Sequence, residues 1–210
     1  MSPNDPEDAP EGEGEGEGTL PAEHNHTNGA TPPSPMEEIR AREPAPPAVA
    51  ELAASCMRFV FAKYKVPLDF TPDTLGVVDH YVKEVRADLK ARPEGQALIE
   101  TAVGAYFGEV LRGVFESTWR SEGEYPEWRL SMSEVYLAFN PIGMAREALT
   151  LAEAPGWHAH IEMHAAEQSE VARRLASLPE VTDEEYYALT TRFDVVELAV
   201  EALRATSRRP

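Results

Sequence analysis

The sequence predicts an α+β, mainly α fold: a helical domain with a small central antiparallel β-hairpin or three-stranded sheet. Three observations support this. After residue 47, apolar residues recur at spacings of three and four through most of the chain. One short central stretch alternates apolar and polar residues instead. Residues 1–47 hold ten of the 18 prolines and no periodic pattern, so we expect a tail at 1–47 and a single globular domain at 48–210.

The N-terminal 47 residues form an acidic, Pro/Gly-rich segment. It contains the repeat EGEGEGEG, no aromatic residue, and 11 acidic residues against Arg40 and Arg42. Such a composition buries too little apolar surface to offset the entropy lost on ordering. We therefore expect residues 1–47 to be disordered and the folded part to begin near Ala48.

The net charge of −18 bounds the classes of partner. Residues 48–210 hold 26 acidic and 17 basic residues, a balance of −9. Nucleic acids and anionic membranes need a positive surface, so neither is an expected partner. No stretch approaches the roughly 20 apolar residues of a membrane span. Cys56 is the single cysteine, which together with the absence of a signal peptide predicts a reducing, cytoplasmic location.

Two amphipathic helices open the domain. The first carries an apolar stripe of Leu52, Cys56, Phe59 and Val60, and ends before Pro67. The second is predicted to start at the N-cap Thr71. Its apolar residues form a heptad-like seam that predicts packing on another helix: Leu75, Val78, Val82, Val85 and Leu89.

The third predicted helix, from about Glu94 to Phe115, is apolar around nearly its whole circumference. Such a helix is usually central and buried. Gly104 and Gly108 lie on one face, and each costs up to about 1 kcal/mol against alanine in a helix interior. We expect the close approach of another element to compensate for that cost.

The alternating stretch follows this helix. Trp128, Leu130 and Met132 share one face, and Val135, Leu137 and Phe139 repeat the pattern. This predicts a hairpin near 118–140, with STWR as a third short strand. The pair Ser133–Glu134 is a poor two-residue turn, so a longer loop is expected.

Helical spacing returns in the last third of the chain. A short helix carries Met144, Ala148 and Leu151. A second helix is predicted over WHAHIEMHAAEQSEVARRLASL, with residues at spacings of four and three: Trp157, Ile161, His164, Gln168, Val171, Leu175 and Leu178. The last helix begins with a capping box, Thr182 to Glu185. Its predicted buried stripe is Tyr186, Leu189, Phe193, Val196, Val200 and Leu203.

Glu109 is the one acidic residue within the apolar part of the third helix. An isolated buried charge is very costly, so the carboxylate needs a partner. Candidate donors are Arg112, Arg120 and the indole N–H groups of Trp119 and Trp128. A raised pKa would instead suit Glu109 to acid or base catalysis. No second carboxylate or histidine lies at motif spacing to complete a mechanism, so we assign no catalytic residue.

The sequence HAHIEMH offers candidate metal ligands. On a helix, His160 and His164 would share one face at i, i+4, as two metal ligands require. Ile161 stands where the metalloprotease motif needs glutamate, and either this pair or the second pair, His158 and Glu162, needs a distant third ligand. The alternative is that His164 lies at the edge of the core while His158 and His160 are solvated. No cofactor motif is present, so no cofactor is expected.

The stretch GAYFGEVLRGVFESTWR resembles a family of bacterial domains to which no activity is assigned. Tyr106, Gly108, Glu109 and Trp119 carry the resemblance, and the preceding LDFTPDTLGVVD extends it to about 50 residues. The resemblance implies a helix–helix–hairpin fold and no known chemistry. On this basis Glu109 is expected to anchor the central helix to the hairpin. Tyr106, Trp119 and Arg112 are further candidates for structural anchors.

These observations lead to two hypotheses of function. The first is a non-enzymatic protein–protein interaction module, an adaptor or immunity-type protein that binds a basic protein by charge complementarity. The alternative is a metal-dependent hydrolase that uses the His158–His164 cluster.

Overall fold

The computed structural model describes residues 44–207, all of which belong to one compact unit. Within this range the chain forms seven α-helices and one four-stranded sheet. The helices are α1 Pro47–Tyr64, α2 Leu75–Ala91, α3 Gln96–Val114, α4 Pro141–Thr150, α5 Gln168–Leu175, α6 Asp183–Tyr187 and α7 Leu189–Ser207. The strands are β1 Ser117–Arg120, β2 Arg129–Met132, β3 Leu137–Phe139 and β4 Glu162–Met163. The prediction of an α+β, mainly α fold is confirmed. Residues 1–43 of the predicted disordered tail lie outside the described residues.

The sheet is antiparallel throughout, in the order β1-β2-β3-β4. Its register pairs Trp119 with Leu130 and Leu130 with Phe139. These three side chains are buried, so the sheet packs one face on the helices. The hairpin loop covers four residues, 133–136, and the STWR strand is present as β1. A fourth strand, β4, pairs with β3 and extends the sheet beyond the two or three strands that we predicted.

The central position of α3 follows from its composition. Eleven of its residues are buried, from Glu100 to Leu111. Helices α1 and α4 pack most extensively against it. A Cβ atom on Gly104 would lie 2.8 Å from the backbone nitrogen of Ile142 in α4, and one on Gly108 would overlap the ring of Trp119. Close approach therefore accounts for both glycines, as predicted.

Caps fix the ends of the C-terminal helices. The capping box of Thr182 and Glu185 is present at the start of α6. Asp79, from α2, accepts hydrogen bonds from the backbone N–H groups of Leu189 and Thr190 at 2.7 and 3.1 Å. These two N–H groups belong to the first turn of α7, where no intrahelical acceptor exists. Asp79 thereby joins α7 to α2.

Two helix predictions in this region are wrong. The last helix is divided into α6 and α7 by the extended residue Ala188, so Tyr186 leaves the buried stripe and is 46% exposed. The helix predicted from Trp157 begins only at Gln168. None of the helices in the described part of the chain is long and apolar enough to span a membrane.

Candidate functional site

The Glu109 cluster joins the C-terminal half of α3 to β1. Trp119 Nε1 donates to Glu109 Oε1 at 2.7 Å. One terminal nitrogen of Arg112 donates to both carboxylate oxygens, at 3.1 and 3.0 Å. Arg112 Nε reaches the carbonyl oxygen of Ser117, at the start of β1, at 3.4 Å. The side chains of Glu109 and Arg112 are only 16% and 11% exposed, so water screens this ion pair weakly.

The indole of Trp119 has two roles in this cluster. Its ring covers Gly108, where no side chain fits, and its N–H occupies one oxygen of Glu109. The other predicted indole donor, Trp128, instead donates to the carbonyl oxygen of Gly123 at 3.2 Å. A carboxylate that is already bound to a guanidinium and an indole acts as a hydrogen-bond acceptor. The geometry is therefore that of a structural cross-link between helix and sheet.

Tyr106 connects α3 to the loop before α2, and this connection is separate from the Glu109 cluster. Its hydroxyl accepts from the backbone N–H of Phe70 at 3.1 Å and lies 2.7 Å from Thr74 Oγ1. Its ring stacks on that of Phe70 at 5.1 Å between centroids. Phe70 has a φ of +62°, a left-handed conformation that is uncommon for a bulky residue. Burial raises the pKa of Tyr106, so the hydroxyl keeps its proton and stabilises the loop before α2.

The histidine cluster does not have the predicted helical geometry. His160 and His164 flank the strand β4, so they do not share a helix face. His158 adopts a φ of +49°, and its Nδ1 lies 3.0 Å from Glu162 Oε1. The ring of His164 stacks on Tyr136 at 4.2 Å. Among residues 44–207, no group of three or more potential ligands could hold a metal ion.

Sequence alternation explains the error. From Trp157 to His164 apolar and polar residues alternate strictly, which is the period of a strand. The segment completes the sheet because β4 pairs with β3 and the carbonyl oxygen of His158 accepts from Asn140 N–H at 2.8 Å. Helical spacing fits the same residues, but in the structure Glu162 and Met163 pair with β3 and the residues from Trp157 to Ile161 are not helical.

Cys56 is fully buried in the core. Burial raises the pKa of its thiol to about 12. The thiolate is the nucleophilic form of cysteine, so Cys56 is a packing residue, in agreement with its position on the apolar stripe of α1.

A buried ion pair escaped the sequence-based prediction. Arg192, in α7, donates to Glu147 Oε2, in α4, at 2.8 Å. Both side chains are less than a tenth exposed. Glu147 also accepts from the backbone N–H of Ala154, and the guanidinium lies 4.6 Å from the centroid of the Tyr186 ring. The sequence does place both charges beside apolar stripes. Glu147 follows Met144 by three positions, and Arg192 follows Leu189 by three positions.

The exposed side of α7 carries an acidic ridge, which we define as Asp194, Glu197 and Glu201. The spacings of three and four place all three on one face of the helix. Within the described residues none of them forms an ion pair, although Arg204, one turn further, binds Glu134 of the hairpin loop at 2.7 Å. Residues 44–207 hold 26 acidic and 15 basic side chains, so no excess of positive charge offsets the ridge.

Comparison of the chain with protein-family models, with curated proteins and with solved structures finds no match. The function must therefore be inferred from the chain's own surface and contacts.

Proposed function

We propose that this protein is a non-enzymatic protein–protein interaction module, of the adaptor or immunity type, that binds a basic protein partner through the acidic ridge. The observation that carries the proposal is the unpaired like charge on the exposed face of α7. Like charges three or four residues apart destabilise a helix. The repulsion among the three carboxylates is relieved when a cationic partner neutralises them.

The surroundings of the ridge support the same proposal. Helix α7, which carries the ridge, is bound to two other helices. Asp79 of α2 caps its first turn, and Arg192 forms an ion pair with Glu147 of α4. The backbone that carries the ridge is therefore held in place near its start. The negative net charge of the chain would steer a basic partner toward the surface and speed its association. Because the side chains are exposed, added salt would screen this attraction.

A charge-matched comparison tests the proposal. In the ridge variant Asp194→Asn, Glu197→Gln and Glu201→Gln are combined. In the control variant Glu122→Gln, Glu153→Gln and Glu180→Gln are combined, which removes the same charge from exposed, dispersed sites. Each full-length protein is used to capture partners from the lysate of its native host at low and at high salt.

The expected result is a basic protein that the wild type and the control retain at low salt, that high salt releases, and that the ridge variant fails to retain. Equal capture by the ridge and control variants would show that general charge, and no specific surface, is responsible. No partner at any salt concentration would refute the interaction proposal itself.

The alternative, a metal-dependent hydrolase at the His158–His164 cluster, gains no supporting observation from the described residues. Metal analysis of the untagged full-length protein tests it. Stoichiometric zinc, iron or manganese that is lost in a variant with His160→Ala and His164→Ala would revive that hypothesis.

A further inference from the structure

Two arginines face each other on the outward side of the sheet. Arg120 of β1 and Arg129 of β2 are register partners, while their neighbours Trp119 and Leu130 point into the core. Like charges directly opposite on adjacent strands destabilise a sheet. The chain has almost twice as many acidic as basic residues, 37 against 19. Even so, Arg120 is exposed and forms no ion pair with any described residue.

Arg129 is held in place by the loop before β2. One terminal nitrogen donates to the carbonyl oxygens of Pro126 and Trp128 at 2.8 and 2.7 Å. The side chain is 14% exposed, and its Nε lies 4.0 Å from Glu162 Oε1. Burial lowers the pKa of Arg129, and the charge of Arg120 lowers it further. Its second terminal nitrogen makes no hydrogen bond within residues 44–207, so one donor group is fixed in position and still free.

Two hydroxyl groups continue the same face. Thr118 and Ser131 are the register partners next to the arginine pair, and side chains two residues apart on a strand share a face. Neither hydroxyl is hydrogen-bonded to another described residue. The outward surface of β1 and β2 therefore presents two guanidinium groups beside two free hydroxyls, which we call the arginine–hydroxyl face (Thr118, Arg120, Arg129 and Ser131).

We propose that the arginine–hydroxyl face binds a single phosphoryl group. Guanidinium groups pair with phosphate oxygens through two parallel hydrogen bonds. The hydroxyls add donors for further acceptor oxygens, which a phosphoryl group has and a carboxylate lacks. Glu127 and Glu162 lie close enough to stabilise the charged form of Arg129, and these carboxylates limit the site to one compact anion. The chain's net charge would repel a polyanion such as a nucleic acid.

This site is independent of the proposed function, because it lies on the sheet and its ligand has the opposite charge to that of a partner for the acidic ridge. A phosphoryl group can come from free phosphate or from a phosphorylated residue of another protein. Both share the chemistry that the face recognises, and the experiment separates them.

Titration of the ¹⁵N-labelled full-length protein, followed by NMR, tests the proposal with inorganic phosphate and with a short peptide that carries one phosphoserine. The unphosphorylated peptide is the blank. The residues of β1 and β2 should shift with both phosphorylated probes, and Arg120→Gln should weaken binding by about tenfold or more, because a charged bidentate donor is lost. Arg92→Gln, an exposed arginine without ion pairs in the described part of the chain, should change the affinity less than about twofold.

Glu162→Gln sharpens the test because it removes the carboxylate that competes for Arg129, so it should tighten phosphate binding. The side chain of Arg120 makes no hydrogen bond to a described residue, and its backbone pairing with β2 does not depend on the side chain. Its substitution should therefore not disturb folding, and without phosphate it should raise Tm slightly. Equal phosphate affinity in the Arg120 and Arg92 variants, or the absence of shifts in β1 and β2 at millimolar phosphate, would overturn the proposal. Tighter binding of the phosphopeptide than of phosphate would identify a phosphorylated protein as the source, and the reverse would identify a free phosphate.

Discussion

The two ends of α3 are attached to the rest of the molecule in the same way, by one glycine and one glutamate each. At the N-terminal end both residues contact α4. Glu100 accepts hydrogen bonds from Arg146 at 3.1 and 3.0 Å, and Gly104 lies against the backbone of Ile142. Glu100 and Gly104 are four residues apart, as are Ile142 and Arg146, and the order is reversed on the second helix. The two helices therefore run antiparallel along this contact.

At the C-terminal end both residues contact one side chain of β1. Gly108 lies beneath the ring of Trp119, and Glu109 accepts from its indole N–H. The difference between the two ends is the distance along the chain. Trp119 is 10 residues from Glu109, whereas Arg146 is 46 residues from Glu100. The contact between Glu109 and Trp119 can be predicted from a sequence motif, whereas the contact between Glu100 and Arg146 can be seen only in the folded chain.

The largest effect that we expect comes from the distant ion pair. Arg146→Met should destabilise the protein by about 3 kcal/mol, because Glu100 would keep a charge with no cation beside it. Glu100 is 2% exposed, whereas the side chain of Arg146 is 34% exposed and can turn to water. Glu100→Gln should therefore cost less than Arg146→Met. Urea unfolding measures both, and equal losses would contradict this asymmetry.

The second prediction concerns the close approach of α3 and α4. Gly104→Ala should cost about 2–3 kcal/mol, because the new methyl group meets the backbone of Ile142 and the helices must separate. Gly76, in α2, is the matched control, since a Cβ there meets no atom within 4 Å. Gly76→Ala should stabilise the protein by up to about 1 kcal/mol through helix propensity. Changes of the same sign in the two variants would refute the close-packing explanation.

The third prediction tests whether Glu109 is an anchor. Glu109→Ala should cost about 1–3 kcal/mol because the buried indole N–H of Trp119 loses its acceptor. Glu109→Gln should cost less, since the amide oxygen can still accept. In a chain of this size each kcal/mol lowers Tm by about 2–4 °C, so thermal melts resolve the two variants. Melting temperatures equal to or above that of the wild type for both would instead indicate a strained catalytic group.

The smallest effect is expected at Tyr106. Tyr106→Phe should cost about 1 kcal/mol, because the N–H of Phe70 loses its acceptor while the stacked rings remain. Tyr136→Phe is the control, since Tyr136 is 54% exposed and its hydroxyl is not hydrogen-bonded to a described residue. Equilibrium unfolding should show no measurable change in the control. An equal loss of stability in both variants would show that the hydrogen bond from Phe70 to the Tyr106 hydroxyl does not stabilise the fold.

The candidate sites illustrate how far sequence reasoning reaches. The sequence predicts Glu109, Arg112 and Trp119 because a carboxylate on an apolar helix needs a donor, and both donors lie within 10 residues of it in the chain. Glu147 and Arg192 were not identified, because their partners lie 45 residues apart and only the packing of α7 on α4 brings them together. Their positions on the apolar stripes were the available signal.

Side-chain pattern was enough to predict most of the helices, the capping box of Thr182 and Glu185, the alternating strands β2 and β3, and the close contacts at Gly104 and Gly108. These features depend on the period of apolar residues and on interactions between residues that are close in the sequence, and both can be read from the sequence. The prediction that α2 starts at the N-cap Thr71 is wrong, because Thr71 makes no side-chain capping bond and α2 begins at Leu75.

Other features depend on contacts between distant parts of the chain. The residues from Trp157 to His164 fit both a helix and a strand, and in the folded chain Glu162 and Met163 pair with the edge of β3. The pairing of Arg120 with Arg129 likewise depended on the register of two strands, because register is set by which side chains the core can bury.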